Sequence, residues 1–411
     1  MTRYLFGFLC VCALGVMPLP GCGGGNGVEE ECKSSQDCSD DNECTLDSCD
    51  AGKCVNAPVE DRAICEAGAC QSGSCKPIAS VFPCSEQGIR DAIAAGGGPH
   101  GFDCAGEATV MTETQIEIDN DVILDGQGRL AINGNRAHRV FFVPASVTAE
   151  LRRLTVSGGA TNFVGGGIRN YGDLTLTRCV VSENSAELVG GGISNGDSAN
   201  EGGELTIVDS TITGNTSELA AGISNSWGTM TVMNTTVAGN AAGGLGNDVQ
   251  GVATVTNSTV SENTGGWGGG VDNWGSLTLV NCTVSGNFTD FDGIVQGIRN
   301  VEFAPGTLTV INTLIDGDCR GEITSLGYNI ESPGDTCSFD QTGDQAGVLD
   351  PMLGELANNG GPTQTHALEE GSPAINQIPV VDCEVTEDQR GVARPQGPTC
   401  DVGAVEVAMN P

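Results

Sequence analysis

The chain has 411 residues, with 53 acidic against 17 basic side chains and a formal charge of −36. That balance opposes nucleic acid and anionic polymers unless divalent cations mediate. Aromatic residues make up only 4%, while 62 glycines and 19 cysteines point to a turn-rich, disulfide-bearing exported chain. Residues 1–21 begin with Met1-Thr2-Arg3 and the apolar run Tyr4 to Val16, a secretion signal too short for a stable membrane span.

The signal ends in Leu19-Pro20-Gly21-Cys22, which resembles the bacterial lipoprotein cleavage box. The resemblance implies that Cys22 is the acylated first mature residue and that residues 22–31, with Gly23 to Gly27, form a tether to an outer-membrane or cell-surface position. Eight cysteines follow between 32 and 76: Cys32, Cys38, Cys44, Cys49, Cys54, Cys65, Cys70 and Cys75. No histidine lies among them, so in an exported segment with little core they read as a disulfide module rather than a zinc site, with connectivity open. The run Cys44-Thr45-Leu46-Asp47-Ser48-Cys49 with Gly52-Lys53-Cys54 is similar to Cys-rich modules near the N-terminus of Gram-negative surface lipoproteins. Three later pairs look local: Cys84 with Cys104, Cys319 with Cys337 and Cys383 with Cys400.

Residues 80–150 read as an N-terminal cap and first coils. Ser85-Glu86-Gln87, then Ile89, Ala92 and Ile93, then Gly96 give the capping residue, one-sided apolar spacing and stop glycine of a short helix. Strands are expected over 109–118, 122–124, 130–132 and 140–143, with a corner at Asp125-Gly126-Gln127-Gly128.

Across 151–318 one phrase recurs. An alternating strand is followed by an Asn corner and a Gly-rich return ending in Asn170, Asn195, Asn225, Asn247, Asn273 and Asn300, at spacings of 25, 30, 22, 26 and 27 residues. Such a period means a solenoid, and the two-residue alternation makes each copy a coil of parallel strands. Leu174 and Leu176 with their counterparts form inward rows. Val181, Ile212, Val237, Val260, Val284 and Ile315 form another, preceded by the small column that holds Cys179 and Cys282. These two cysteines sit three coils apart, too far to bridge, and read as buried small hydrophobes.

Asp209, Asn234, Asn257, Asn281 and Asn312, with Arg178 in the first copy, mark one tight corner. Asn184, Asn215, Asn240, Asn263 and Asn287 mark a second, and amides stacked at coil spacing are expected to hydrogen-bond in ladders. Five of these asparagines open Asn-x-Thr/Ser sequons, a by-product of the repeat that needs no glycan. In Gly167-Ile168, Gly192-Ile193 and their counterparts, glycine is expected to turn the chain at positive φ. The coils, over roughly 108–330, resemble right-handed parallel β-helix proteins of the pectin-lyase-like type and the Gly-Gly-Ile and Asn repeats of bacterial surface proteins.

Residues 319–411 carry Gly327-Tyr328-Asn329-Ile330, Asn358-Asn359-Gly360-Gly361-Pro362-Thr363, Asp388-Gln389-Arg390-Gly391 and Asp401-Val402-Gly403-Ala404, and resemble the segment called choice-of-anchor Q. The expectation is a C-terminal cap over the open end of the solenoid, with anchoring left to the N-terminal lipid.

Catalysis is the rival reading, because the pectin-lyase-like fold houses polysaccharide lyases and glycoside hydrolases. Lys33, Lys53 and Lys76 all precede the repeats, and no histidine lies within them. Asp272 and Arg299 share a column one coil apart and read as an exterior ion pair. Asp248 and Asp272 are on neighbouring coils but offset in register, and are expected to face differently; Glu183 and Glu262 lie three coils apart. No catalytic residue is therefore assigned, and no cofactor. Calcium is the softer option, through Asp119-Asn120-Asp121, Asp290 with Asp292, or Asp316 with Asp318. Tyr171, Trp227 and Trp274 each precede the Gly that opens a strand in the first, third and fifth coils, and are expected to stand exposed on one edge as a platform for sugar rings. The resulting expectation is a lipid-anchored surface β-helix in adhesion or glycan contact.

Overall fold

The computed structural model describes residues 45–50, 53–58, 64–65, 68–71, 74–197, 202–265, 268–289, 296–301 and 306–407. The signal, Cys22 and its tether, Trp267, Asp290 and Asp292 lie outside them. Contacts divide the chain into two units, residues 1–77 and 78–411. In the first, Thr45–Asp50 pairs antiparallel with Lys53–Pro58, and Gly68–Gln71 is flanked by Ile64–Cys65 and Ser74–Pro77. Cys49 faces Cys54 and Cys70 faces Cys75 across these ladders, and Cys54 is disulfide-bonded.

The second unit is a parallel β-solenoid of about 8 turns. Each coil contributes a strand such as Asp173–Thr177, a corner, a strand such as Val180–Ser182, a second corner, and a strand such as Ile168–Asn170. The last kind stacks into a nine-stranded sheet. Register is strict: Val237 pairs Val260 and Val260 pairs Val284, each at most 1% exposed. Leu174, Leu176, Leu205 and Ile207 are wholly buried, as the alternation requires. Cys179 and Cys282 are free and buried, and burial pushes both thiols up to about 12, which leaves them unreactive.

The first corner is left-handed throughout, with φ of 53° at Arg178, 51° at Asp209, 50° at Asn234 and 52° at Asn312. The second carries a continuous amide ladder. The Nδ2 of Asn184, Asn215, Asn240 and Asn263 donates to the Oδ1 of the next member at 2.9–3.0 Å. The asparagines that end the Gly-rich returns form another ladder, from Asn170 to Asn300, at 2.7–2.8 Å. Each buried bond of this kind contributes about 1 kcal/mol, and an orphaned amide costs about 1–3 kcal/mol, so both ladders also enforce register.

Two expectations are corrected here. The second glycine of the Gly-Gly phrase is not at positive φ; it is needed because the next coil's carbonyl and the neighbouring ladder amide both lie against it, Gly192 O at 2.6 Å from a Cβ at Gly167. A Cβ at Gly244 would sit 2.7 Å from Asn263 Nδ2, and one at Gly167 2.9 Å from the Asn184 amide. At the first corner the ladder is fragmentary, because left-handed residues aim outward: Asn257 donates to the Glu387 carbonyl at 2.7 Å and Asn312 to that of Asp382 at 3.1 Å.

The helix forms as its signals dictate, over Glu86–Ala95, with the Ser85 hydroxyl accepting from Gly88 N–H and Gly96 ending it at φ 64°. It buries Ile89, Ala92 and Ile93 in the core. Disulfides Cys84–Cys104, Cys319–Cys337 and Cys383–Cys400 are all present. The C-terminal segment, expected as an end lid, instead runs back along the flank of the coils. Gln389 accepts from Thr259 Oγ1 at 2.6 Å and donates to Thr236 and Thr363 hydroxyls at 3.0 and 2.9 Å. His366 meets Ser261 at 2.8 Å, and Ala404 N–H reaches Thr283 at 3.0 Å. Beneath it, Leu368, Ala374, Ile378 and Val402 pack on Leu314 and Ile330.

Candidate functional site

The outward column of the nine-stranded sheet reads Arg169, Ser194, Ser224, Gly246, Asp272, Arg299 and Arg320, in register. Around its later members opens a groove of about 520 Å³, lined by Asp248, Asp272, Trp274, Arg299 and Arg320, with Leu219, Ala242, Gly243, Gly246 and Gly268 as its apolar part. The groove exists because small residues occupy the coil edge here. Gly246 contributes no side chain where its neighbours carry Ser or Asp, and a Cβ there would meet Ala220 Cβ at 2.5 Å.

Arg299 donates to both carboxylate oxygens of Asp272, at 2.7 Å each, and is 9% exposed. The pair lies on the outward face, as expected, but as a part-buried bidentate fork, and geometry of this kind is stronger and more directional than a simple surface contact. Trp274 Nε1 donates to Asp272 at 3.3 Å, and the guanidinium of Arg299 stands 5.4 Å from the indole centroid, so carboxylate, cation and ring are held as one unit. Arg320, one coil on, is exposed.

Asp248 also faces this groove, correcting the expectation that it and Asp272 diverge. The hydroxyls of Ser224 and Ser226 donate to its Oδ2 at 2.9 and 2.8 Å and turn it back over the sheet. Burial raises its pKa above the ordinary carboxylate value, the two serine bonds oppose that, and the charge of Asp272 adds to it. The sequence names this residue but misleads on its face, because column arithmetic assigns faces to strand positions, whereas Asp248 stands one residue past the strand Leu245–Asn247. The serines one coil earlier were the only available signal.

The three aromatic candidates do not form one exposed row. Tyr171 is 8% exposed; its hydroxyl donates to Asp197 at 2.7 Å, and Arg169 packs on its face at 4.6 Å. Trp227 is 43% exposed but follows its ladder Asn by two residues rather than one, in a left-handed turn at φ 60°. Trp274 alone lines the groove. For cations, the described residues contain no cluster of three or more His, Cys, Asp and Glu side chains placed to hold one. Asp121 accepts from Thr148 N–H and Asp316 from Ser285. Of the sequon asparagines, Asn215, Asn281 and Asn287 are wholly buried in the ladders or corners.

No protein-family model matches the chain, and no curated protein matches it. Among solved structures it is similar to one described as the crystal structure of pectate lyase Pel9A, at 12% identity and a TM-score of 0.42, covering 80% of this chain and 96% of that one.

Proposed function

We propose that the chain is an exported, lipid-anchored surface rod that contacts glycans through the groove at Trp274. The observation that carries this reading is the Asp272–Arg299–Trp274 unit. An aromatic face supplies stacking area for a sugar ring, and a planar fork beside it orients hydroxyls. Export is supported by three disulfides, which persist in oxidising compartments, and by the signal and cleavage box read from the sequence. The test is a glycan array with parent protein and Trp274→Ala. The reading expects binding to a set of oligosaccharides that the variant loses at unchanged Tm; a parent that binds none, or a variant that binds them all, rejects it.

One observation favours a second reading, glycoside hydrolysis. Asp248, its pKa raised by burial, lies in the same groove as Asp272, and two carboxyl groups in one groove are what acid-assisted glycosidic cleavage uses. Release of reducing sugar by the purified protein, abolished in Asp248→Asn, would establish it; no release from the glycans the array identifies would remove it.

A further inference from the structure

A second surface lies on a different face. Thr175, Thr206, Thr231, Thr254, Thr278 and Thr309 stand in register on successive coils, every one outward. Exposed Asp173 and Glu204 flank the first two, but the strands that carry the last four, Thr229–Met233, Val252–Thr256, Ser276–Val280 and Thr307–Ile311, contain no charged residue and no aromatic one and make up a charge-free face, in a chain with 70 charged side chains. The face is open: Thr254 is exposed, Val252 is 51% exposed and Met233 37%. None of these ladders shifts register, so the hydroxyls and methyls repeat at about 4.8 Å along the rod and about 7 Å across each strand.

We propose that this face binds crystalline ice. The partner must be uncharged, because the twelve outward positions of these four strands offer it no ion while the rest of the molecule carries −36. It must be periodic and rigid, because threonine is stiff at χ1 and the sheet holds the spacing before binding, which removes ordering cost. It must be satisfied by small groups: each threonine presents one methyl, over which water orders, and one hydroxyl that both donates and accepts. A crystalline polysaccharide would call for ring-stacking aromatics, which these strands lack. A second copy of the chain fits poorly, since the charge-free face of four strands measures about 14 Å by about 13 Å, roughly 190 Å² against the roughly 800 Å² per partner of a stable interface.

The experiment uses the purified full-length protein. Ice-recrystallisation inhibition and the shape of single ice crystals are compared for the parent, Thr254→Arg, and Thr231→Lys combined with Thr278→Lys, with circular dichroism as the fold control. The proposal expects faceted crystals and inhibition by the parent, lost in every variant that keeps the parent's spectrum, with binding at the Trp274 groove unchanged. A parent that leaves ice unshaped overturns it. So does inhibition that survives in the folded variants, depletion of the parent by microcrystalline cellulose but not by ice, or a dimer in sedimentation that Thr254→Arg dissociates.

Discussion

The same column of one sheet builds two clusters from the same residue types, and only one of them is open. In the early coils Arg169 pairs with Asp197 between the rings of Phe163 and Tyr171, at 5.2 and 4.6 Å, and the Tyr171 ring also meets Phe142 edge-on at 5.7 Å. In the later coils Arg299 pairs with Asp272 beside Trp274, and among the described residues a groove remains. What differs is the coil edge. Phe163, Leu188 and Leu219 follow one another on successive coils there, linked backbone to backbone, and the series then gives way to Ala242, Gly243 and Gly268. An Arg–Asp pair beside an aromatic ring is therefore enclosed where bulky residues lie over it and borders a groove where, among the described residues, they do not.

The largest effect that separates the two is on stability. Asp197→Ala leaves the Arg169 guanidinium and the Tyr171 hydroxyl without their shared acceptor, and is expected to cost about 3 kcal/mol in chemical unfolding. Asp272→Ala, at a groove that water enters, is expected to cost about 1–2 kcal/mol while abolishing glycan binding. If the two substitutions prove equal in stability, the contrast between clasp and groove is wrong. Ala242→Phe should close the later cluster as Phe163 closes the early one, removing glycan binding with a stability change of about 1 kcal/mol, checked by array and melting.

The smallest effect is pH-dependent. The folded-state pKa of Asp248 is raised, so its protonated form is the one the fold favours, and the associated stability is present below the unfolded carboxyl pKa and lost as pH rises through the folded value. Asp248→Asn, which keeps an acceptor for Ser224 and Ser226, should raise Tm at neutral pH and converge with the parent in acid. A gap that widens on acidification would contradict the assignment.

The repeat made the coil, the inward rows, the left-handed corner, the helix and three disulfides legible, because each depends on residues near in sequence or on a period. Val237, Val260 and Val284 lie side by side as the spacing requires. What stayed hidden depends on contacts between distant segments. Thr236, Thr259 and Thr283 point outward and look solvated, yet they are buried because a segment more than a hundred residues on docks over them. Gln389, the hub of that docking, stands in a recognisable run, Asp388-Gln389-Arg390-Gly391, but nothing local tells which threonines it meets. The glycines of the Gly-Gly phrase announce themselves clearly, but their reason, a ladder amide and the next coil's carbonyl pressed against them, appears only in three dimensions.

The groove exists only if Asp272 and Arg299 occupy the same position on adjacent coils. The most direct test is a pair of double-cysteine variants. Neighbouring parallel strands lie about 4.8 Å apart, within reach of a disulfide, and the next strand but one lies about 10 Å away, beyond it. Under mild oxidation Asp272→Cys with Arg299→Cys is predicted to lose both added thiols, while Asp272→Cys with Arg320→Cys keeps them. A first pair that stays reduced, or a second that closes as readily, would contradict the stacking on which the site depends.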